Sequence, residues 1–207
     1  MISGATTERA ARALLTAVAL CTFCAATSAL ELSEVMGLLA QRSHVEATFS
    51  EERFVSGFEQ PLRSSGTLSF TAPDNFARRT LAPRSEAMIV EGQRVTLERG
   101  ERVRQLSLDA VPELAAIVSA VRGTLSGDAA ALGQHFDIAV SGDTRQWSLR
   151  LEPREQRLLQ SVRELRIDGA LGEVRRVEVV LADGDRSVMQ VEPVRSTPST
   201  QPPRSRP

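Results

Sequence analysis

From Val45 onward the chain alternates between apolar and polar residues. Val45, Ala47 and Phe49 interleave with Glu46, Thr48 and Ser50. That period of two belongs to a strand with one face turned inward, expected to run to about Phe54. Leu62–Thr71 repeats the pattern, with Ser64, Gly66, Leu68 and Phe70 on one face. Strands are predicted next at Phe76–Leu81, Glu86–Val90, Arg94–Glu98 and Arg102–Leu108. The connections are short: Pro73-Asp74-Asn75, Ala82-Pro83-Arg84, Glu91-Gly92-Gln93 and Arg99-Gly100-Glu101. Proline presets the first dihedral of a turn, and Asp, Asn and Gly tolerate the remaining ones. Strands so joined form a meander. The alternation returns at Phe136–Ser141, Arg145–Glu152, Ser161–Asp168, Glu173–Leu181 and Ser187–Pro193. Asp183-Gly184-Asp185 is a hairpin signal between the last two, and Arg154–Gln160 reads either way.

In three places the period lengthens to that of a helix. Ser33 caps a run in which Val35, Met36, Leu38 and Leu39 share a side, ending near Arg42. Asp109 is placed to cap a helix with Pro112 in its first turn and an apolar stripe of Leu114, Ile117, Val118 and Val121, closed by Gly123. Asp128–Leu132 supplies a further short turn. Three helices are too few for a layer of their own and serve better as a plug or lid. About eleven strands in series without βαβ alternation predict a mainly β, α+β domain: a curled antiparallel sheet or an open barrel.

The ends stand apart. Met1–Ala29 reads as a secretory signal, with Arg9 and Arg12 ahead of apolar Ala13–Ala26 and the small residues Thr27, Ser28 and Ala29. Arg195–Pro207 is rich in proline, serine and arginine and is expected to be a disordered tail. Residues 30–194 remain as one domain. Both cysteines, Cys21 and Cys24, fall in the signal, and neither sits in a lipobox, so the exported protein is expected to lack thiols and a lipid anchor. All 25 basic residues are arginine. Of the 26 acidic residues only Glu8 lies outside 30–194, and of the arginines Arg9, Arg12, Arg195, Arg204 and Arg206 do. That leaves 25 against 20, near −5, which argues against nucleic acid as a partner.

Little here suggests catalysis. There is no G-x-S-x-G, Walker loop or H-E-x-x-H, and His44 and His135 read as boundary residues. Glu51 and Glu52, adjacent on a strand, point to opposite faces, and Asp183 and Asp185 read as turn residues. No enzyme, metal or cofactor is expected. The informative feature is apolar surface: Trp147, Leu149 and Leu151 alternate cleanly with Ser148, Arg150 and Glu152, while Ala87, Met88, Ile89 and Val90 are apolar on both faces. Such residues either fill a core with the helices or line a space that accepts acyl chains. In the second case the cavity is lined by Phe49, Leu68, Phe70, Phe76, Met88, Val90, Leu97, Trp147 and Leu149, and the lid is the stripe Leu114, Ile117, Val118 and Val121.

Several segments, in order, carry a resemblance. Val45–Ser50 running into Glu51-Glu52-Arg53-Phe54 is similar to the opening strand of the LolA family. Gly66-Thr67-Leu68-Ser69-Phe70 with Ala72-Pro73-Asp74-Asn75-Phe76 resembles a second family segment. Thr80-Leu81-Ala82-Pro83 leading to Met88-Ile89-Val90-Glu91-Gly92-Gln93-Arg94-Val95 resembles a third. Pro112-Glu113-Leu114 and the Asp-Gly-Asp hairpin also fit. The resemblance implies a single unclosed antiparallel β-barrel with a helical lid over an apolar cavity. It implies a monomeric periplasmic carrier whose cargo is an acylated lipoprotein or other lipid-like molecule, taken from an inner-membrane transporter and passed to an outer-membrane acceptor. Two other uses of the fold are an anchored acceptor resembling LolB and a lipid-sensing regulatory module. Three positions depart from the family pattern. Ala72 replaces the arginine that latches the lid, Glu51 replaces a glutamine, and Val95 and Leu97 stand where the family has an aromatic pair. Arg53, Arg78 and Arg79 are the candidates to take over the latch.

Overall fold

The structure, a computed structural model, describes residues 30–194. The expected signal with both cysteines and the expected tail lie outside the described residues. The chain builds one sheet from two meanders. The first is β1 (His44–Phe54), β2 (Leu62–Thr71), β3 (Asn75–Ala82), β4 (Glu86–Glu91), β5 (Arg94–Arg99) and β6 (Arg102–Ser107). The second is β7 (Phe136–Asp143), β8 (Gln146–Pro153), β9 (Val162–Ala170), β10 (Glu173–Leu181) and β11 (Arg186–Pro193). β1 and β11 join them antiparallel, in register from Ala47 opposite Pro193 to Phe54 opposite Arg186. The order is therefore β6-β5-β4-β3-β2-β1-β11-β10-β9-β8-β7, and the two edge strands are not hydrogen-bonded to each other. This is the expected mainly β, unclosed, eleven-stranded architecture.

Helices occupy the connection between those edges, the segment before β1 and the β8–β9 connection. They are α1 (Leu32–Leu39), α2 (Pro112–Leu125), α3 (Ala129–His135) and α4 (Gln156–Leu159), with a 3-10 turn at Leu108–Ala110. The expected three helices are thus four, the ambiguous Arg154–Gln160 containing α4. Two details at α2 differ from the sequence reading. Asp109 belongs to the 3-10 turn, and Val111 precedes the helix without a side-chain cap, leaving Pro112 to start it. Gly123 does not end the helix: it lies inside it, where a Cβ would stand 3.1 Å from Leu132 of α3, so glycine here permits helix packing. The left-handed residue that closes the segment is Gly127, with φ +67°. Asp128 does cap α3, accepting from the Ala131 amide at 2.9 Å.

Buried side chains form two clusters. The larger unites Val35, Met36 and Leu39 of α1 with Ala116 and Ala120 of α2, Leu132, Leu158 and the inward faces of β8 and β9. The smaller unites Val90, Val95, Leu108 and Val118. Trp147 anchors the larger cluster. It lies opposite Gly169 and donates its indole N–H to the Leu171 carbonyl at 2.8 Å. A Cβ on Gly169 would come within 2.1 Å of the indole and 2.5 Å of the Glu173 carbonyl.

Gly169→Ala is therefore expected to destabilise by about 1–3 kcal/mol, since overpacked cores shift rather than absorb extra atoms. The melting midpoint should fall by roughly 3–10 °C, with a change in emission from the single tryptophan. An unchanged midpoint and unchanged emission would show that the indole does not rest on Gly169.

Candidate functional site

α2 presents three different faces to its surroundings. Ala116 and Ala120, small residues four apart, pack into the larger cluster, while Val118 with Leu114 and Ala115 packs into the smaller. The third face, Ile117, Val121 and Leu125, is turned toward the middle of the sheet, with Ile117 also touching the larger cluster. Between it and the middle of the sheet lies an apolar cavity of about 190 Å³. The sheet wall comes from Val45 and Ala47 of β1, Leu68 and Phe70 of β2, Phe76 of β3, Met88 of β4, Val174, Val177 and Val179 of β10, and Met189 and Val191 of β11. Several lining residues, among them Leu68, Phe76, Met88 and Val177 of the sheet and Ile117 of α2, are only half-buried although they line the cavity. Apolar cavities of about this size stay dry and take up small apolar ligands.

The structure divides the residues expected at the cavity. Leu68, Phe70, Phe76 and Met88 line it, as do Ile117 and Val121 of α2. Val90 and Val118 are sealed in the smaller cluster, with Leu97 and Leu114 packed against it. Trp147 and Leu149 belong to the larger cluster, because β8 lies next to the sheet edge, where α1, α3 and α4 cover it. Phe49 is buried opposite Gly66, and the Arg78 guanidinium lies 4.6 Å from its ring centre. The β10–β11 wall was missed. Its alternation of Val177 with Val179 and Met189 with Val191 is visible in the sequence, but its adjacency to β1 is not.

A polar cluster interrupts the wall. Glu51, on the inward face of β1, accepts from Ser64 at 2.9 Å and also from Ser187 and Arg78. Arg78 further contacts Ser64 at 3.2 Å. Burial alone would push the Glu51 carboxyl up. The Arg78 charge and the three donors outweigh that and hold it below its ordinary value. Of the expected latch candidates, Arg78 is thus committed to Glu51 on the sheet. Arg79 is exposed on the outer face, and Arg53 is exposed at the cavity's rim. The arginine that crosses between helix and sheet is Arg122 of α2. Its Nη2 donates to the Asp74 carbonyl at 2.6 Å and to the Gly92 carbonyl at 2.7 Å, tying the helix to the β2–β3 and β4–β5 turns. Ala72 carries no donor to reach across, so the donor here sits on the helix and the acceptors on the sheet. The buried Arg122 Nε and Thr124 Oγ1 have no protein partner. Thr124 is on the cavity wall.

The family described as outer membrane lipoprotein carrier protein LolA-like matches residues 24–191. No curated protein matches the sequence. Among solved structures, the chain is similar to a LolA superfamily protein from Nitrosomonas europaea at 9% identity and TM-score 0.42, over 81% of this chain and 93% of that one. It is similar to a DUF1329 family protein from Desulfovibrio piger at 10% identity and TM-score 0.46, over 78% and 88%. A third similarity is to the MucA/MucB complex structure of Pseudomonas aeruginosa, at 15% identity and TM-score 0.41, over 82% and 59%.

Two measurements check this geometry. Arg122→Met keeps the stem and removes both bonds, so α2 amides should exchange tenfold or more faster, charge-assisted bonds being worth about 1.5–3 kcal/mol each. Exchange in β8 and β9 should not change; equal exchange at α2 would show that Arg122 holds nothing. The second concerns pH. Because the folded Glu51 carboxyl lies below its ordinary value of 4.5, its contribution is complete above that pH and is lost as pH falls through the lower folded value. Glu51→Gln should be less stable than the parent at pH 7, and the gap should close as pH drops below 4.5. Glu178 is lowered in the same way: burial pushes it up, but Arg176 and Arg186 outweigh that. The variant should therefore retain some acid slope. A gap independent of pH would contradict the ionised pairing.

Proposed function

The chain belongs to the LolA-like family of outer membrane lipoprotein carrier proteins, and from that premise we propose that it is a periplasmic carrier holding acyl chains in the cavity beneath α2. LolA-like proteins are in general binding or carrier proteins rather than enzymes. The observation that carries the reading is an apolar space of about 190 Å³ left open between two packed clusters. Arg122 ties its roof to the sheet turns. On this reading α2 is the lid and Ile117 and Val121 meet the cargo. Residues 1–29 direct export and residues 30–194 carry. The cargo is an acylated lipoprotein or a related lipid-like molecule, passed between an inner-membrane donor and an outer-membrane acceptor by a monomer.

Burying methylenes supports useful affinity. At about 0.8 kcal/mol each, eight of them contribute about 6 kcal/mol, a dissociation constant on the order of 10 μM before ordering costs. Because Trp147 is in the packed core, calorimetry is the better readout. Titration with dodecanoate should saturate at one site, and bound ligand should slow hydrogen exchange across Pro112–Leu125. No heat and no protection at α2 would mean that the cavity is not an acyl site.

A further inference from the structure

We propose that the cargo is an anionic amphiphile, whose phosphate or carboxylate headgroup sits in an arginine-lined groove that continues the acyl cavity across β3–β6. The inference rests on the carrier reading and specifies its ligand. The groove measures about 530 Å³ and is bordered by Arg78, Arg99, Arg102 and Arg104 with Glu86 and Glu98. It shares Arg78 and Met88 with the acyl cavity, so the two spaces are contiguous.

Strand register explains why these charges gather. Arg104 is opposite Leu97, Leu97 opposite Met88, and Met88 opposite Arg78, so the four form one row across the sheet. Arg102, Arg99 and Glu86 form the next row. Four guanidiniums share this face with one carboxylate, Glu86, because Glu98 alternates to the other face with Ala87 and Val103, and they do so on a domain whose overall balance is negative. Arg99 is paired with Glu86, and Arg78 with Glu51. Arg102 and Arg104 have no carboxylate within ion-pair distance among the described residues. Guanidinium forks match phosphate and carboxylate oxygens in pairs, which a neutral headgroup cannot exploit. An acyl chain entering past Met88 therefore leaves its polar end among these arginines. Charged residues also protect a sheet edge from pairing with other chains. That role would be served by either sign and by either face, and it does not require the shared border with an apolar cavity.

Calorimetry on the purified protein separates the cases, using dodecyl phosphate, dodecanoate, dodecanol and inorganic phosphate. Both anionic amphiphiles should bind at least tenfold more tightly than dodecanol at low salt, and the margin should narrow as salt is added. In Arg102→Gln/Arg104→Gln the margin should fall below threefold while dodecanol affinity stays the same. The single variants should each show part of the loss, which covers the case of a poorly folding double variant. Inorganic phosphate at equal concentration should not displace dodecyl phosphate. Equal binding of dodecanol and the anions, or a margin that survives in the double variant, would overturn the headgroup site and leave the carrier intact. Displacement by inorganic phosphate would mark a free-phosphate site and overturn the lipid assignment. If none of the amphiphiles bound, the carrier reading itself would fall.

Discussion

The fold hangs on the pairing of the first strand with the last. β1 and β11 align over eight residue pairs and unite two meanders that otherwise share no backbone ladder. Everything else about the site depends on that seam. With β1 and β11 in the middle of the sheet, the strands at the chain's midpoint, β6 and β7, become its edges. The segment connecting them then has to traverse the open side of the curled sheet, and α2 and α3 are that segment. A helical cover over the concave face is thus a consequence of strand order rather than an added part. The seam is also the cavity's floor, since β1, β2, β10 and β11 supply most of its wall.

Why the space stays open can be read from the side chains that pack on either side. The larger cluster is filled by bulky groups, Trp147, Phe136 and the leucines of β8 and β9, against residues of all four helices. The smaller one closes around Val90, Val95 and Val118. α2 spans both, using alanines against one and branched residues against the other, and its remaining face stands over a wall of valine and methionine. The wall's valines and Ala47 leave the gap between sheet and helix unfilled. Native interiors are normally packed to crystal density, so a gap of this size has a stability cost that function has to justify. Glu51 brings charge into this region without leaving it unpaired, through Arg78 and two serine hydroxyls.

Much of this was legible in the sequence, and the limits are physical. The period of two in segments such as Leu62–Thr71 and Glu173–Leu181 marks strands whose bounds match those observed. Local turn chemistry, as at Asp183-Gly184-Asp185, fixes which strands are neighbours within each meander. Nothing local reports that β1 meets β11, and so the seam wall of Val177, Met189 and Val191 went unassigned. The same gap misplaced Trp147 and Leu149, which alternate as cavity residues would but lie near an edge that helices bury. Arg122 escaped notice because a polar residue beside an apolar helical stripe looks like any solvated position. Only the fold shows two turn carbonyls within its reach. Gly123 read as a terminator for a comparable reason: glycine ends helices and also admits neighbours, and the sequence does not distinguish the two.

The space beneath α2 is the proposed seat of the cargo. Filling it with the protein's own atoms tests that most directly. Val177 is half-buried on the seam wall, so Val177→Phe places a ring in the cavity. Denaturant unfolding should find the free variant as stable as the parent or more stable, while affinity for an acyl probe should fall at least tenfold. If the ring instead destabilised the protein by the roughly 1–3 kcal/mol of an overpacked core, and acyl affinity did not change, there would be no acyl-binding space beneath α2.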